Sequence, residues 1–299
     1  MSTIPSNQFN SLWPERWYRR LWGAVADRIL DASARLARVS DETLKVRCTQ
    51  CRSRIQLQPV KEDDLVEAFS LVREVSSRVH GIRHHHVQVL GALAMSHGWI
   101  AEMGTGEGKT LTSLMTIILM AMKGKGCHVF TANDYLAGRD RDFAQPVFDW
   151  FNLTSAVLPV QDPDTDRAMY YRAAVTYGSE KEFGFDFLRD RLNRVANLDR
   201  SFSETRSHST SPIQNGLRFA LIDEADSILI DQATTPLIIS CPRPPSDEDL
   251  QLIYWSDQVA GRLAASVDYS MDPQRQSARL TRRGCRSLKL TQKPLPIAN

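Results

Sequence analysis

Two short stretches constrain the fold of this chain more than anything else in it: Ile100-Ala-Glu-Met-Gly-Thr-Gly-Glu-Gly-Lys-Thr110 and, far downstream, Phe219-Ala-Leu-Ile-Asp-Glu-Ala-Asp226. In the first, glycines let the backbone turn where side chains would clash. Successive N–H groups across Gly104, Thr105, Gly106, Glu107 and Gly108 can then face phosphate oxygens at the start of a helix. Lys109 is placed to neutralise the β- and γ-phosphates, and the Thr110 hydroxyl to ligate Mg²⁺. In the second stretch an apolar strand ends in two acids. Asp223 then falls within reach of the Mg²⁺ shell, and Glu224 lies beside the γ-phosphate, where it can act as general base on water. The two halves together predict ATP and Mg²⁺ as ligands and hydrolysis as the chemistry.

The strict phosphate-loop pattern has glycine five positions before Gly108, where this chain has Met103, so the match is to the helicase-like variant of the loop. Taken alone, the Asp-Glu pair reads equally well as a solvated helix start. The four apolar residues before it favour a strand end instead. With 42% hydrophobic and 24% charged residues in 299, the composition is that of a soluble globular protein of about two domains. A net charge of +2 is too small to imply a nucleic-acid binder. The five cysteines show no disulfide spacing, and no amino-terminal apolar run resembles a signal peptide, so a reducing cytoplasm is expected. The most apolar stretch, Leu111 to Met122, is well short of the ~20 residues a membrane-spanning helix needs. It reads as the buried helix that continues the phosphate loop.

Residues 1–80 read as an amino-terminal helical segment, 81–240 as an α/β nucleotide-binding domain and 241–299 as a partial α+β domain. In the first, Trp13, Trp17, Leu21, Val25 and Ile29 recur every four positions, with Arg16, Arg19 and Arg20 on other faces. Such a helix either lies at an anionic membrane surface or packs on the domain that follows. Ser40-Asp-Glu-Thr starts a second helix, and Ala68, Leu71, Val72 and Val75 give a third its apolar face. Trp99-Ile-Ala, Cys127-His-Val-Phe, Ala156-Val-Leu-Pro-Val, Ala173-Ala-Val-Thr-Tyr and Phe219-Ala-Leu-Ile then alternate with helical stretches, the signature of a parallel sheet. Both nucleotide motifs fall at carboxyl ends of such strands, where open α/β sheets bind ligands. Asp199 to Asn215 is polar and reads as a loop. A helix through Leu252, Ile253, Val259 and Leu263 and a hairpin around Asp272-Pro-Gln-Arg follow.

Gly81-Ile-Arg-His-His-His-Val-Gln-Val-Leu-Gly91 precedes the phosphate loop much as the glutamine motif does in DEAD-box proteins, with Gln88 able both to donate to and to accept from the adenine edge. Three longer runs sharpen the resemblance: Thr131-Ala-Asn-Asp-Tyr-Leu-Ala-Gly-Arg-Asp140, Thr176-Tyr-Gly-Ser-Glu-Lys-Glu-Phe-Gly-Phe-Asp-Phe-Leu-Arg-Asp190, and Asp223 through Ser240. They resemble the SecA family, the ATPase motors of bacterial protein export. The similarity extends from about Ser40 to about Gly284, where the chain resembles part of that family's preprotein cross-linking domain. The resemblance implies a protein-translocating ATPase, cytoplasmic and peripheral on the inner face of the plasma membrane. Its implied partners are a SecY-type channel, preproteins and anionic lipids, with no nucleic acid.

Two departures from the family pattern are Ala225 in place of valine and Thr234 in place of arginine; the second puts a local ion pair in doubt. The family's second motor domain and its arginine fingers fall outside these residues, so slow hydrolysis is expected of the 299-residue chain by itself. Two rival readings stand beside this one: a DEAD-box-like RNA helicase, from the literal Asp-Glu-Ala-Asp, and a non-catalytic ATP-binding module. Among weaker signals, Cys48-Thr-Gln-Cys51 supplies at most half a zinc site and His84-His-His86 a tenuous one. Asn133-Asp-Tyr and Arg139-Asp read as surface turns and caps, or, by the resemblance, as a motor-coupling surface. Phe183, Phe185 and Phe187 read as core packing rather than a stacking platform for bases.

Overall fold

The computed structural model describes residues 15–124, 126–160, 166–200, 212–214, 216–239, 246–272 and 277–291, with backbone only at 15–20 and 195–200. By its contacts the chain divides into two units, Met1–Ile239 and Ser240–Asn299.

The first unit opens with α1 (Glu15–Leu36), α2 (Asp41–Leu57) and α3 (Glu62–His80). Ser40 starts α2 by accepting the Thr43 N–H on its hydroxyl, and Gly81 ends α3 at φ 70°, the left-handed turn that glycine enters at little cost. Along α3, Ala68, Leu71, Val72 and Val75 are buried as their spacing requires. Along α1 the buried set is Trp22, Ala26, Ile29, Ser33 and Leu36. The stripe drawn from sequence is corrected here: Ile29 is buried, Val25 is partly buried, and Leu21 is exposed. Trp13 and the side chain of Trp17 lie outside the described residues. A strict spacing of four drifts about 40° per step around a helix, so such a stripe leaves the core face within a few turns. Trp22 packs edge-on against Trp99, with ring centroids 5.4 Å apart.

That contact bears on a second correction. Trp99-Ile-Ala is not a strand. It follows a turn at Gly98 (φ 80°), and Ile100 is 87% exposed, so the segment has neither a strand partner among the described residues nor a buried alternate face. The helices α4 (His86–Ser96) and α5 (Lys109–Met122) flank it. From Leu114 to Met122 α5 is buried on every face, as expected of a helix that continues a phosphate loop into a core.

The unit continues with β1 (Cys127–Thr131), α6 (Asp134–Trp150), β2 (Ser155–Val157), a 3-10 turn (Arg167–Arg172), β3 (Val175–Ser179), α7 (Glu180–Arg200), β4 (Ala220–Ile222) and a π-helical turn (Ser227–Asp231). The strands form one parallel sheet in the order β2-β3-β1-β4, with Thr131 opposite Ser179 and Phe130 opposite Ile222. The chain leaves β1 toward one edge and returns to its other side as β4, which makes the β1/β4 boundary the switch point of the sheet.

The aromatic run on α7 is likewise corrected in part. Phe183 is buried, stacked on Phe130 at 4.2 Å, whereas Phe187 is 39% exposed. Phe185, two residues from each, is turned to the other side and is partly buried, and Phe187 shares the face of Phe183 one turn further on, where it is exposed, so alternation does not place all three inside. Beneath α7 lies a buried polar network. Arg167 donates to Glu182 and to Asp186, each at 2.7 Å, and the Tyr171 hydroxyl donates to Asp186 at 2.8 Å.

The second unit contains α8 (Asp247–Ala260), capped by Ser246, an antiparallel pair of β5 (Tyr269–Asp272) and β6 (Ser277–Leu280), and α9 (Arg282–Leu290). The hairpin read from sequence is present, and so is the helix through Leu252, Ile253 and Val259, but it ends at Ala260 in a turn, short of Leu263; the turn residues 273–276 lie outside the described residues. Val259 is buried on α8, while Ile253 and Tyr254 are exposed. Gly284 lets α9 meet the hairpin: a Cβ there would lie 2.0 Å from the Asp268 carbonyl oxygen.

Candidate nucleotide site

The phosphate loop takes its shape from two left-handed glycines. Gly106 and Gly108 both have φ 84°, and Gly108 is the residue from which α5 departs. Glycine at 108 is required twice over, because a Cβ would also lie 2.5 Å from Gln88 Nε2. The Gly104 N–H already carries an oxyanion: it donates to the Glu107 carboxylate at 2.8 Å. That contact is an internal test of fit, since a loop N–H that donates to a carboxylate oxygen can donate to a phosphate oxygen. Lys109 is exposed at the helix start, and Thr110 is partly buried behind it.

Gln88 lies over the loop. Its Nε2 donates to the Glu107 carbonyl and its Oε1 accepts the His85 N–H, so both ends of the amide are engaged. One helix turn away His84 is buried, with Nε2 2.7 Å from the Leu111 carbonyl. A carbonyl accepts only, so Nε2 carries a proton, and Nδ1, buried without a hydrogen-bond partner, is the unprotonated nitrogen of a neutral ring. Burial pushes the His84 pKa down to about 4.

On the opposite side, the Asp223 N–H donates to the Phe130 carbonyl at 3.0 Å, which fixes the acid pair at the end of β4. The next residue, Glu224, has φ 53°, a conformation non-glycine residues rarely adopt. Its N–H donates to Asp223 Oδ1 at 3.0 Å, and a turn of π-helix, Ser227–Asp231, follows. Left-handed backbone and π turns concentrate at functional sites. Thr110 and Asp223, at distant positions in sequence, line one narrow crevice together with Ser113, Asp140 and Tyr177. A hydroxyl and a carboxylate in one crevice are hard oxygen donors of the kind Mg²⁺ takes, so the residues present fit that ion.

Sequence reasoning missed Asp140 as part of this crevice. A signal was there: Asp140 falls on the buried stripe of α6 with Ala137, Ala144, Val147 and Phe148, an unusual place for an acid. At the start of the same helix Asn133 acts as the cap, accepting the Leu136 N–H at 2.9 Å. Cys48 and Cys51 lie buried on α2 with thiols pushed up to about 12 by burial. No cluster of three or more His, Cys, Asp or Glu side chains suited to a metal occurs among the described residues. Nor is any described helix long and apolar enough to cross a membrane.

A parallel sheet with a glycine loop that opens a helix, and a strand ending in an acid pair whose Asp223 shares a crevice with Thr110, defines the phosphate-loop α/β class in its DEAD-like form. Within that class the assignment is specific. The SecA DEAD-like domain matches residues 9–290, and the chain belongs to that family. Protein translocase subunit SecA of Myxococcus xanthus is 38% identical over 285 residues, covering 95% of this chain and 28% of the relative. Protein translocase subunit SecA 2 of Rhodopirellula baltica is 37% identical, covering 92% of this chain and 43% of the relative. SecA of Desulforamulus reducens is 36% identical over 260 residues, covering 87% and 28%. The chain thus spans between 28% and 43% of the length of these relatives.

Proposed function

We propose that this chain is the ATP-binding part of a SecA-type protein-translocating motor. In this reading residues 81–240 form the nucleotide-binding domain, 1–80 a helical segment in front of it and 241–299 part of a preprotein cross-linking domain. The observation that carries the proposal is the convergence of Thr110 and Asp223 in one crevice beside a loop held open by Gly108. Loop amides from Gly104, Thr105, Gly106, Glu107 and Gly108, with Lys109, would hold the phosphates, and Gln88 the adenine. Thr110 and Asp223 would hold Mg²⁺, which would neutralise charge between the β- and γ-phosphates. Glu224 would orient and deprotonate the attacking water. Its left-handed backbone turns it away from the line of β4, and its exposure leaves the carboxylate accessible. A SecY-type channel, preproteins and anionic lipids are the partners this reading supplies, with the chain peripheral on the inner membrane face.

Titration of a fluorescent ATP analogue, with and without Mg²⁺, tests the site. Saturable, Mg²⁺-dependent binding that Lys109→Ala abolishes is expected; equal affinity in both proteins would overturn the assignment. Strong stimulation of hydrolysis by RNA would favour a helicase instead. Binding with no turnover, even with translocon and preprotein added, would favour a non-catalytic module.

A further inference from the structure

The crevice that joins Thr110 to Asp223 has a third polar wall, which the roles above leave unused. Asp140 is 7% exposed and lines that crevice from the buried stripe of α6. A lone carboxylate at such depth is strongly disfavoured unless paired. Its partner is the adjacent Arg139, whose Nε and Nη2 both donate to Asp140 Oδ1, at 2.9 and 2.7 Å. The same guanidinium feels the negative charge of Asp223, and the two carboxylates act on each other. Asp140 and Asp223 line one crevice and Arg139 is bonded to the first of them, which puts its guanidinium in a position to compete with a divalent cation for the Asp223 carboxylate.

We propose that Asp140 is a positioning residue for the divalent cation: by occupying Arg139 it keeps that guanidinium off Asp223 and leaves the Asp223 carboxylate to the metal. The inference rests on the reading that Thr110 and Asp223 hold Mg²⁺. It has a consequence that a merely structural ion pair lacks, because the two partners act with opposite sign. Asp140→Asn removes a negative charge from the crevice and turns Arg139 toward Asp223, so more Mg²⁺ is needed. Arg139→Gln removes the competing cation, so less Mg²⁺ is needed.

The experiment titrates a fluorescent ADP analogue into the 299-residue chain over a Mg²⁺ series and in EDTA, with Mn²⁺ binding followed by electron paramagnetic resonance as a direct metal readout. Two unit charges within several ångströms of a divalent ion at a partly solvated site predict a rise of about three- to tenfold in half-saturating Mg²⁺ for Asp140→Asn, and a fall of about two- to fivefold for Arg139→Gln. Affinity in EDTA should stay within about twofold for both. Asp223→Asn serves as the reference. If it leaves the Mg²⁺ dependence unmoved, the underlying site reading fails. If it shifts that dependence while Asp140→Asn does not, or while both partners shift it in the same direction, the role of Asp140 is overturned. Should Asp140→Asn fail to fold, the direction of Arg139→Gln alone decides.

Discussion

Gln88 donates from Nε2 to the Glu107 carbonyl at 2.8 Å and accepts the His85 N–H on Oε1 at 2.9 Å, so a single amide ties the start of α4 to the phosphate loop. Its burial means both bonds would be lost to cavity, not to water, on truncation. Gln88→Ala should therefore cost about 1–3 kcal/mol of stability and weaken ATP and pyrophosphate binding together. Calorimetric unfolding alongside ligand titration checks this. Loss of ATP affinity with pyrophosphate binding unchanged would show Gln88 acting on adenine alone.

Gly108 and Lys109 are neighbours with different expected phenotypes. Gly108→Ala forces a Cβ into the left-handed region and to within 2.5 Å of Gln88 Nε2. The backbone term alone is about 1–2 kcal/mol, so the melting temperature should fall along with nucleotide binding. Lys109→Ala should abolish binding and leave the melting temperature of the free protein unchanged, because its side chain is exposed. Scanning calorimetry of both variants without nucleotide separates them.

His84 should make stability depend on pH. Its folded pKa, about 4, lies below the ordinary 6.5, so between those values the unfolded chain binds the proton and the native chain does not. Its contribution is fully present above pH 6.5, declines as pH falls toward 4, and amounts to about 3 kcal/mol across that window. His84→Gln retains a donor for the Leu111 carbonyl but has no titrating ring. Urea midpoints from pH 4 to 7.5 should fall less steeply on acidification in the variant; parallel curves would refute the assignment.

Arg167 is 7% exposed and neutralises two buried acids, Glu182 and Asp186. Arg167→Ala would leave both carboxylates without their main partner, and breaking buried pairs of this kind costs about 3–5 kcal/mol. Chemical denaturation should show a loss of that order. A change below about 1 kcal/mol would mean that water or Arg189, itself 2.8 Å from Asp186, takes over.

The amino-terminal helix separates into a packed part and a part still to be tested. Trp22, edge-on to Trp99, is core, so Trp22→Ala should lower stability by about 3–5 kcal/mol. If Arg16, Arg19 and Arg20 meet lipid phosphates, replacing them with alanine should abolish salt-sensitive binding to anionic vesicles with the melting temperature held. Co-sedimentation with vesicles of both compositions, anionic and neutral, reads this out; equal binding to the two would defeat the electrostatic part.

Much of this protein was legible in its sequence because local physics leaves little choice. A Gly-x-Gly-Lys-Thr turn has few backbone solutions, the continuous apolar run after it is a buried helix in any α/β fold, and Ala68, Leu71, Val72 and Val75 can share a face only as a helix. Contacts between segments were not legible. Periodicity could not show that Trp22, rather than Leu21, faces inward, nor that Trp99 would pack on it and take no place in a strand; the neighbouring helix decided both. The sheet order, which puts β4 beside β1, is likewise a tertiary outcome. It alone brings Asp223 and Thr110 into one crevice, which Asp140 also lines. An acid on a buried helical stripe is visible in the sequence as an anomaly, but only the surrounding charges give it a partner and a use.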